Sequence, residues 1–139
     1  MRDVAELSLV VDASVTACWA LDDEPHPAAD AALARATADE VLVPSLWWFE
    51  IRNLLVVAER RNRTTVDKTT TFFRELRKLK FVIDGQADEV ALFHLARTHR
   101  LTIYDAAYLE LALREALPLA TLDRALATAA KANGAALVA

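Results

Sequence analysis

Four acids stand where folding could bring them together. Asp12 directly follows Leu9-Val10-Val11, Glu50 interrupts Leu46-Trp47-Trp48-Phe49-Glu50-Ile51, Asp105 follows Leu101-Thr102-Ile103, and Asp123 comes one residue after Leu119-Ala120-Thr121. Taken singly, Asp12, Asp105 and Asp123 have an ordinary use, because each stands where a helix begins and Asp is a favoured N-cap. Glu50 has no such use. An ionised carboxylate inside an aromatic run costs several kcal/mol without a partner or is forced to neutralise, so a buried Glu50 needs a cation. Four gathered carboxylates also repel one another unless a divalent ion relieves them. Hard oxygen donors suit Mg²⁺ or Mn²⁺, one ion or two, held through a few carboxylates and waters with positions left open for a phosphate oxygen. The reaction implied is hydrolysis of a phosphodiester by in-line displacement, with water as nucleophile and no covalent intermediate. Asn53, one turn beyond Glu50, is a candidate to orient it or bind substrate, beside the plainer use of a core hydrogen bond.

Other chemistries lack their residues. Two glycines leave no Gly-rich phosphate loop, a lone Cys18 offers no cysteine pair for zinc, and there is no Gly-x-Ser-x-Gly elbow. His26, His94 and His99 lie away from the expected strand ends, and His94, in an apolar helical pattern, is expected to be packed. Cys18 sits in the apolar run Val15 to Leu21, where a buried small hydrophobe is the expectation, and a reducing cytoplasm follows. The mixed charges of Met1 to Glu6 read as neither a secretory signal nor a membrane span.

The elements that must position the acids alternate between strand-length apolar runs and helical patterns, which predicts an α/β fold. In detail the expectation is a three-layer α/β/α arrangement with a short, mostly parallel sheet of four to five strands, in one domain over 1–139. Strands are predicted over Leu7 to Val11, Val41 to Val43, Lys80 to Asp84 and Leu119 to Thr121, with Ala135 to Val138 as a closing edge strand. Helices are predicted over about Ala13 to Leu21, Ala28 to Ala38, Leu46 to Arg61, a start capped by Thr64 or Thr65 to about Leu79, Asp88 to Arg100, Asp105 to Glu115 and Asp123 to Ala132. Ser45 is the expected N-cap of the long helix, whose apolar first half implies burial, with two of the three aromatics Trp47, Trp48 and Phe49 in the core. In the helix after Asp88, Val90, Leu92, Phe93 and Ala96 are expected inward. In a parallel sheet everything just after a strand emerges on one edge, the edge where such folds bind ligands, so the four acids should share one rim.

The net charge of −4 argues at first against a polyanion partner, but its distribution does not. Between Arg52 and Lys80 lie nine of the 16 basic residues against three acids, so that window carries +6 and the rest of the chain −10. Two solvated amphipathic helices would give the same pattern, as would a basic flank beside an acidic pocket. On the second reading Arg52, Arg60, Arg61 and Arg63 are candidate contacts to a polyanion, which the resemblance given below makes RNA.

These residues resemble the PIN domain, and within it the VapC-like toxins of bacterial toxin–antitoxin pairs. The resemblance rests on Val10-Val11-Asp12-Ala13-Ser14, Pro44 to Glu50 with Glu50-Ile51-Arg52-Asn53, Tyr104-Asp105-Ala106-Ala107-Tyr108-Leu109, and Thr121-Leu122-Asp123, in that order over nearly the whole chain. It implies that Asp12, Glu50, Asp105 and Asp123 are metal-site acids and that Ser14 and Thr121 are the small hydroxyls beside them. It further implies RNA cleavage with Mg²⁺ or Mn²⁺, a homodimer, and inhibition by a cognate antitoxin. Two rivals are a PIN-like scaffold that holds RNA or protein without cleaving, and an aspartate phosphotransfer module. The latter lacks the second acid of Asp-x-Asp, since Asp12-Ala13-Ser14 stands there.

Overall fold

Four short strands pair side by side in the order β3-β2-β1-β4, all parallel. They are β1 (Leu9–Val11), β2 (Glu40–Pro44), β3 (Lys80–Asp84) and β4 (Leu119–Ala120) in a computed structural model that describes residues 8–21 and 25–138. Leu7, the predicted start of the first strand, and Met1 to Glu6 lie outside the described residues. The register joins Leu9 to Val41, Val10 to both Leu42 and Leu119, and Val41 to Phe81. All three residues of β1 are fully buried, as a central strand of a parallel sheet covered on both faces requires.

Seven helices connect and flank the strands among the described residues: α1 (Ala13–Ala20), α2 (Pro27–Ala36), α3 (Leu46–Arg60), α4 (Val66–Leu76), α5 (Glu89–His99), α6 (Ile103–Glu115) and α7 (Arg124–Ala132). Helix α1 packs against α2, α3 and α4, while α6 packs against α5 and α7 and lies along β1, β2 and β4. That central position buries seven consecutive residues of α6, Ala106 to Ala112. The predicted α/β class holds, with four strands and a wholly parallel sheet. No helix among the described residues is long and apolar enough to cross a membrane.

Several local expectations change. The closing strand reduces to one isolated parallel bridge, Leu119 to Leu137, and α6 begins at Ile103, two residues before the predicted start at Asp105. Thr65 caps α4 by accepting the Lys68 N–H at 3.2 Å. Ser45 caps nothing through its side chain; its backbone is already right-handed helical, and α3 starts directly from the end of β2. Helix α3 buries a single stripe, Trp47, Ile51, Leu55 and Ala58, and Trp47 stacks on Phe81 with ring centroids 4.4 Å apart. Trp48 and Phe49 fall off that stripe and are exposed, Phe49 by 70%. One aromatic of the three is therefore core, because the apolar run is longer than the stripe one helix face can bury. Likewise Leu95 is the buried residue of α5, with Leu92 and Ala96 partly covered, while Val90, Phe93 and His94 are exposed. Cys18 is half-buried against the core.

Candidate functional site

Asp12 is the best-fixed of the four acids. Its own N–H continues the β1–β4 pairing by donating to the Ala120 carbonyl at 3.1 Å, and its carboxylate then caps α1. Oδ1 accepts from the Val15 N–H at 3.0 Å and the Ser14 hydroxyl at 2.6 Å, while Oδ2 accepts from the Thr121 hydroxyl. The side chain is held on three sides and the residue is only 5% exposed. Thr121 also accepts the Asp123 N–H at 3.0 Å, and Ser14 accepts the Leu122 N–H at 3.4 Å, so two hydroxyls lace the loop after β4 to Asp12.

Asp123 sits beside it as the N-cap of α7, its Oδ1 accepting the Leu126 N–H at 2.8 Å. Asp105 is no cap. Thr102 takes that role, accepting the Asp105 N–H at 3.0 Å, and Asp105 stands in the first turn of α6, half-buried. Glu50 comes from the second turn of α3, half-buried, with Oε1 accepting the Tyr108 hydroxyl at 2.5 Å. Asn53 is exposed and makes no hydrogen bond to Glu50, so the expected support for Glu50 comes instead from Tyr108 on α6. Tyr108 had a signal of its own: a tyrosine in an apolar run must find a partner for its hydroxyl when buried.

Three of the acids sense their neighbours. Burial pushes Asp12 above the usual carboxylate range, and repulsion from Asp123 adds to it. Burial likewise raises Glu50, with Asp105 and Asp12 adding, and raises Asp105, with Asp123 and Asp12 adding. Tyr108 is held far above its ordinary value by burial and by its bond to Glu50. Among the described residues none of the four acids forms an ion pair with Lys, Arg or His. The donor set therefore fits a hard divalent ion in its chemistry. As placed, no three acidic, histidine or cysteine side chains among the described residues stand close enough to enclose an ion. Mutual repulsion keeps like charges apart until a cation compensates them.

The basic candidates divide. Arg52 lies half-buried with its guanidinium 3.6 Å from the Trp48 ring centroid and 4.6 Å from that of Phe73, and donates to the Trp48 carbonyl at 2.9 Å. Arg60, Arg61 and Arg63 are exposed at the far end of α3, and Arg60 is about 15 Å along the helix axis from Glu50 at 1.5 Å per residue.

A domain model for the PIN domain matches residues 9–132, which takes in all four acids. The chain belongs to the PIN domain family. Ribonuclease VapC3 of Pyrobaculum aerophilum is 33% identical over 124 residues, spanning 87% of this chain and 93% of that protein, which makes this PIN domain VapC-like. The crystal structure of PAE2754 from Pyrobaculum aerophilum is similar at a TM-score of 0.69 and 26% identity, covering 95% of this chain and 84% of that one.

Proposed function

We propose that this PIN domain is an endoribonuclease that hydrolyses RNA phosphodiester bonds at the rim formed by Asp12, Glu50, Asp105 and Asp123, with Mg²⁺ or Mn²⁺ as cofactor. The observation that carries the reading is electrostatic. Three carboxylates are raised by burial and by neighbouring acids of the rim, and none has a cationic partner among the described residues. A fold tolerates such a cluster only where something is gained from it, and perturbed carboxylates in one place mark functional sites.

A bound divalent ion supplies Lewis acidity toward a phosphodiester oxygen and toward attacking water. Asp12, fixed by Ser14, Thr121 and Val15, offers an anchor that does not reorient on binding. Glu50 keeps Oε2 for a ligand while Tyr108 holds Oε1. Asp105, its proton affinity raised by burial and by Asp123 and Asp12, adds a further carboxylate to the rim. Asp123 has one oxygen committed to capping α7, which leaves the other for the site. Arg52 and, further off, Arg60, Arg61 and Arg63 give the RNA backbone a basic flank. The biological role that fits is the toxin of a toxin–antitoxin pair, acting in the cytoplasm as a homodimer and restrained by its cognate antitoxin.

The test compares RNA cleavage by the wild type and Asp12→Asn with Mg²⁺, and then with EDTA. Loss on the order of a thousandfold in the variant, and loss in EDTA, are expected. Equal activity in both proteins, or EDTA-resistant cleavage, would overturn the reading. The non-catalytic scaffold is the alternative favoured by the open spacing of the acids, and it predicts RNA binding without cleavage under either condition.

A further inference from the structure

Tyr108 is 1% exposed, yet its hydroxyl reaches the acids. It donates to Glu50 Oε1 and lies beside the backbone of Ala13, the residue after Asp12. One phenolic oxygen thus spans the peptide next to Asp12 on α1 and the Glu50 side chain on α3. A second bridge runs in parallel. The Trp47 indole N–H donates to the Thr16 hydroxyl at 3.0 Å, and that hydroxyl donates to the Asp12 carbonyl at 3.0 Å. The second bridge ties the Trp47 side chain to the Asp12 backbone, whereas the first is the contact that fixes the Glu50 carboxylate itself.

We propose that Tyr108 is a positioning residue, whose hydroxyl fixes the Glu50 carboxylate relative to Asp12 and thereby sets the affinity of the rim for a divalent cation. The inference rests on the metal-site reading above. Glu50 has three side-chain torsions and is only half-buried, so without this bond its carboxylate can swing toward water, away from the repelling Asp105 and Asp12. Ordering that side chain would then have to accompany cation binding and weaken it. A buried hydroxyl that orients a ligating carboxylate typically changes metal affinity by about 10- to 100-fold.

The experiment measures Mn²⁺ binding by titration calorimetry for wild type, Tyr108→Phe, Glu50→Asp and the double variant, with melting in EDTA as a check on folding. Phe keeps the ring that fills the core and removes only the hydroxyl. Glu50→Asp keeps the charge but withdraws it from the hydroxyl's reach. The expected result is binding about tenfold weaker in Tyr108→Phe, with the KM for RNA within about twofold of wild type and kcat reduced. On the Glu50→Asp background, Tyr108→Phe should add no further loss. The inference is overturned if Tyr108→Phe binds Mn²⁺ like wild type, or if its loss recurs in full on the Glu50→Asp background, which is what a general folding defect would give. A wild type that takes up no Mn²⁺ overturns the metal-site reading, and this inference with it.

Discussion

Two groups of acids, each with one deeply buried member, lie on this fold, and they are built in opposite ways. Glu110 on α6 is 3% exposed, more deeply buried than Glu50. Arg114, one turn on, donates to both its oxygens at 2.7 and 3.1 Å and reaches Asp84 at the end of β3 at 2.6 and 3.3 Å. Arg114 holds Asp84 below the usual carboxylate range, and the two acids in turn hold Arg114 above its own. The other group, Asp12 with Glu50, Asp105 and Asp123, has hydroxyls and backbone amides but no cation among the described residues. Burial alone therefore does not mark a functional acid. The absence of charge compensation is what sets the rim apart, and it is on that feature that the proposed function rests.

The contrast is broken most severely by Arg114→Ala, which leaves Glu110 buried without its cation. It should lower the unfolding free energy by about 3 kcal/mol, measured by urea denaturation in EDTA, while cleavage per folded molecule stays within about twofold of wild type. A neutral effect on stability would make the two groups equivalent and remove the distinction. Asp12→Asn should move stability the other way. In EDTA the variant is expected to gain about 1 kcal/mol, since a repelling charge is lost while the amide can still serve Val15 and Thr121. A loss of stability in EDTA would mean the hydrogen bonds outweigh the repulsion.

Acidity should separate the groups as well. Burial and repulsion hold Asp12, Glu50 and Asp105 above their ordinary values of 3.8, 4.5 and 3.8 in the folded chain. Without a cation the folded state then binds protons more tightly than the unfolded one, so stability falls as pH rises from about 4 through those raised values. Asp84 does the reverse: its contribution is present above its ordinary 3.8 and is lost as the pH falls through its lower folded value. Melting in EDTA across about pH 4.5 to 7.5 should show the decline, and saturating Mn²⁺ should remove it. Parallel curves in EDTA and Mn²⁺ would contradict a cation at this rim. The smallest effect is expected of Asn53→Ala. Exposed and unbonded to Glu50, the residue should be replaceable within about 0.5 kcal/mol of stability and about twofold in kcat/KM.

Glu50 and Glu110 also show how far local pattern reaches. Each interrupts an apolar helical run, and the rule that a buried carboxylate needs a cation applies to both. For Glu110 the cation was four residues away in the sequence, at the spacing of one helical turn. For Glu50 the partner that the fold provides is Tyr108, 58 residues on, and Asn53 at the local spacing proved irrelevant to it. The cap reading held for Asp12 and Asp123, whose carboxylates accept N–H groups of α1 and α7, and failed for Asp105, where Thr102 three residues earlier does the capping.

The sequence by itself determined the alternation of strands and helices, and with it the parallel sheet and the delivery of Asp12 and Asp123 to strand ends. Those follow from the period of apolar residues and from short-range capping, which act between neighbours along the chain. The tertiary structure decided which apolar faces were covered, leaving Phe49 exposed and Trp47 stacked in the core. It also decided which acids went uncompensated. Compensation depends on what distant segments place within a few ångströms, and Coulomb energy inside a protein is set by that distance and by exclusion of water. Neither quantity is written in the spacing of residues along one strand or helix.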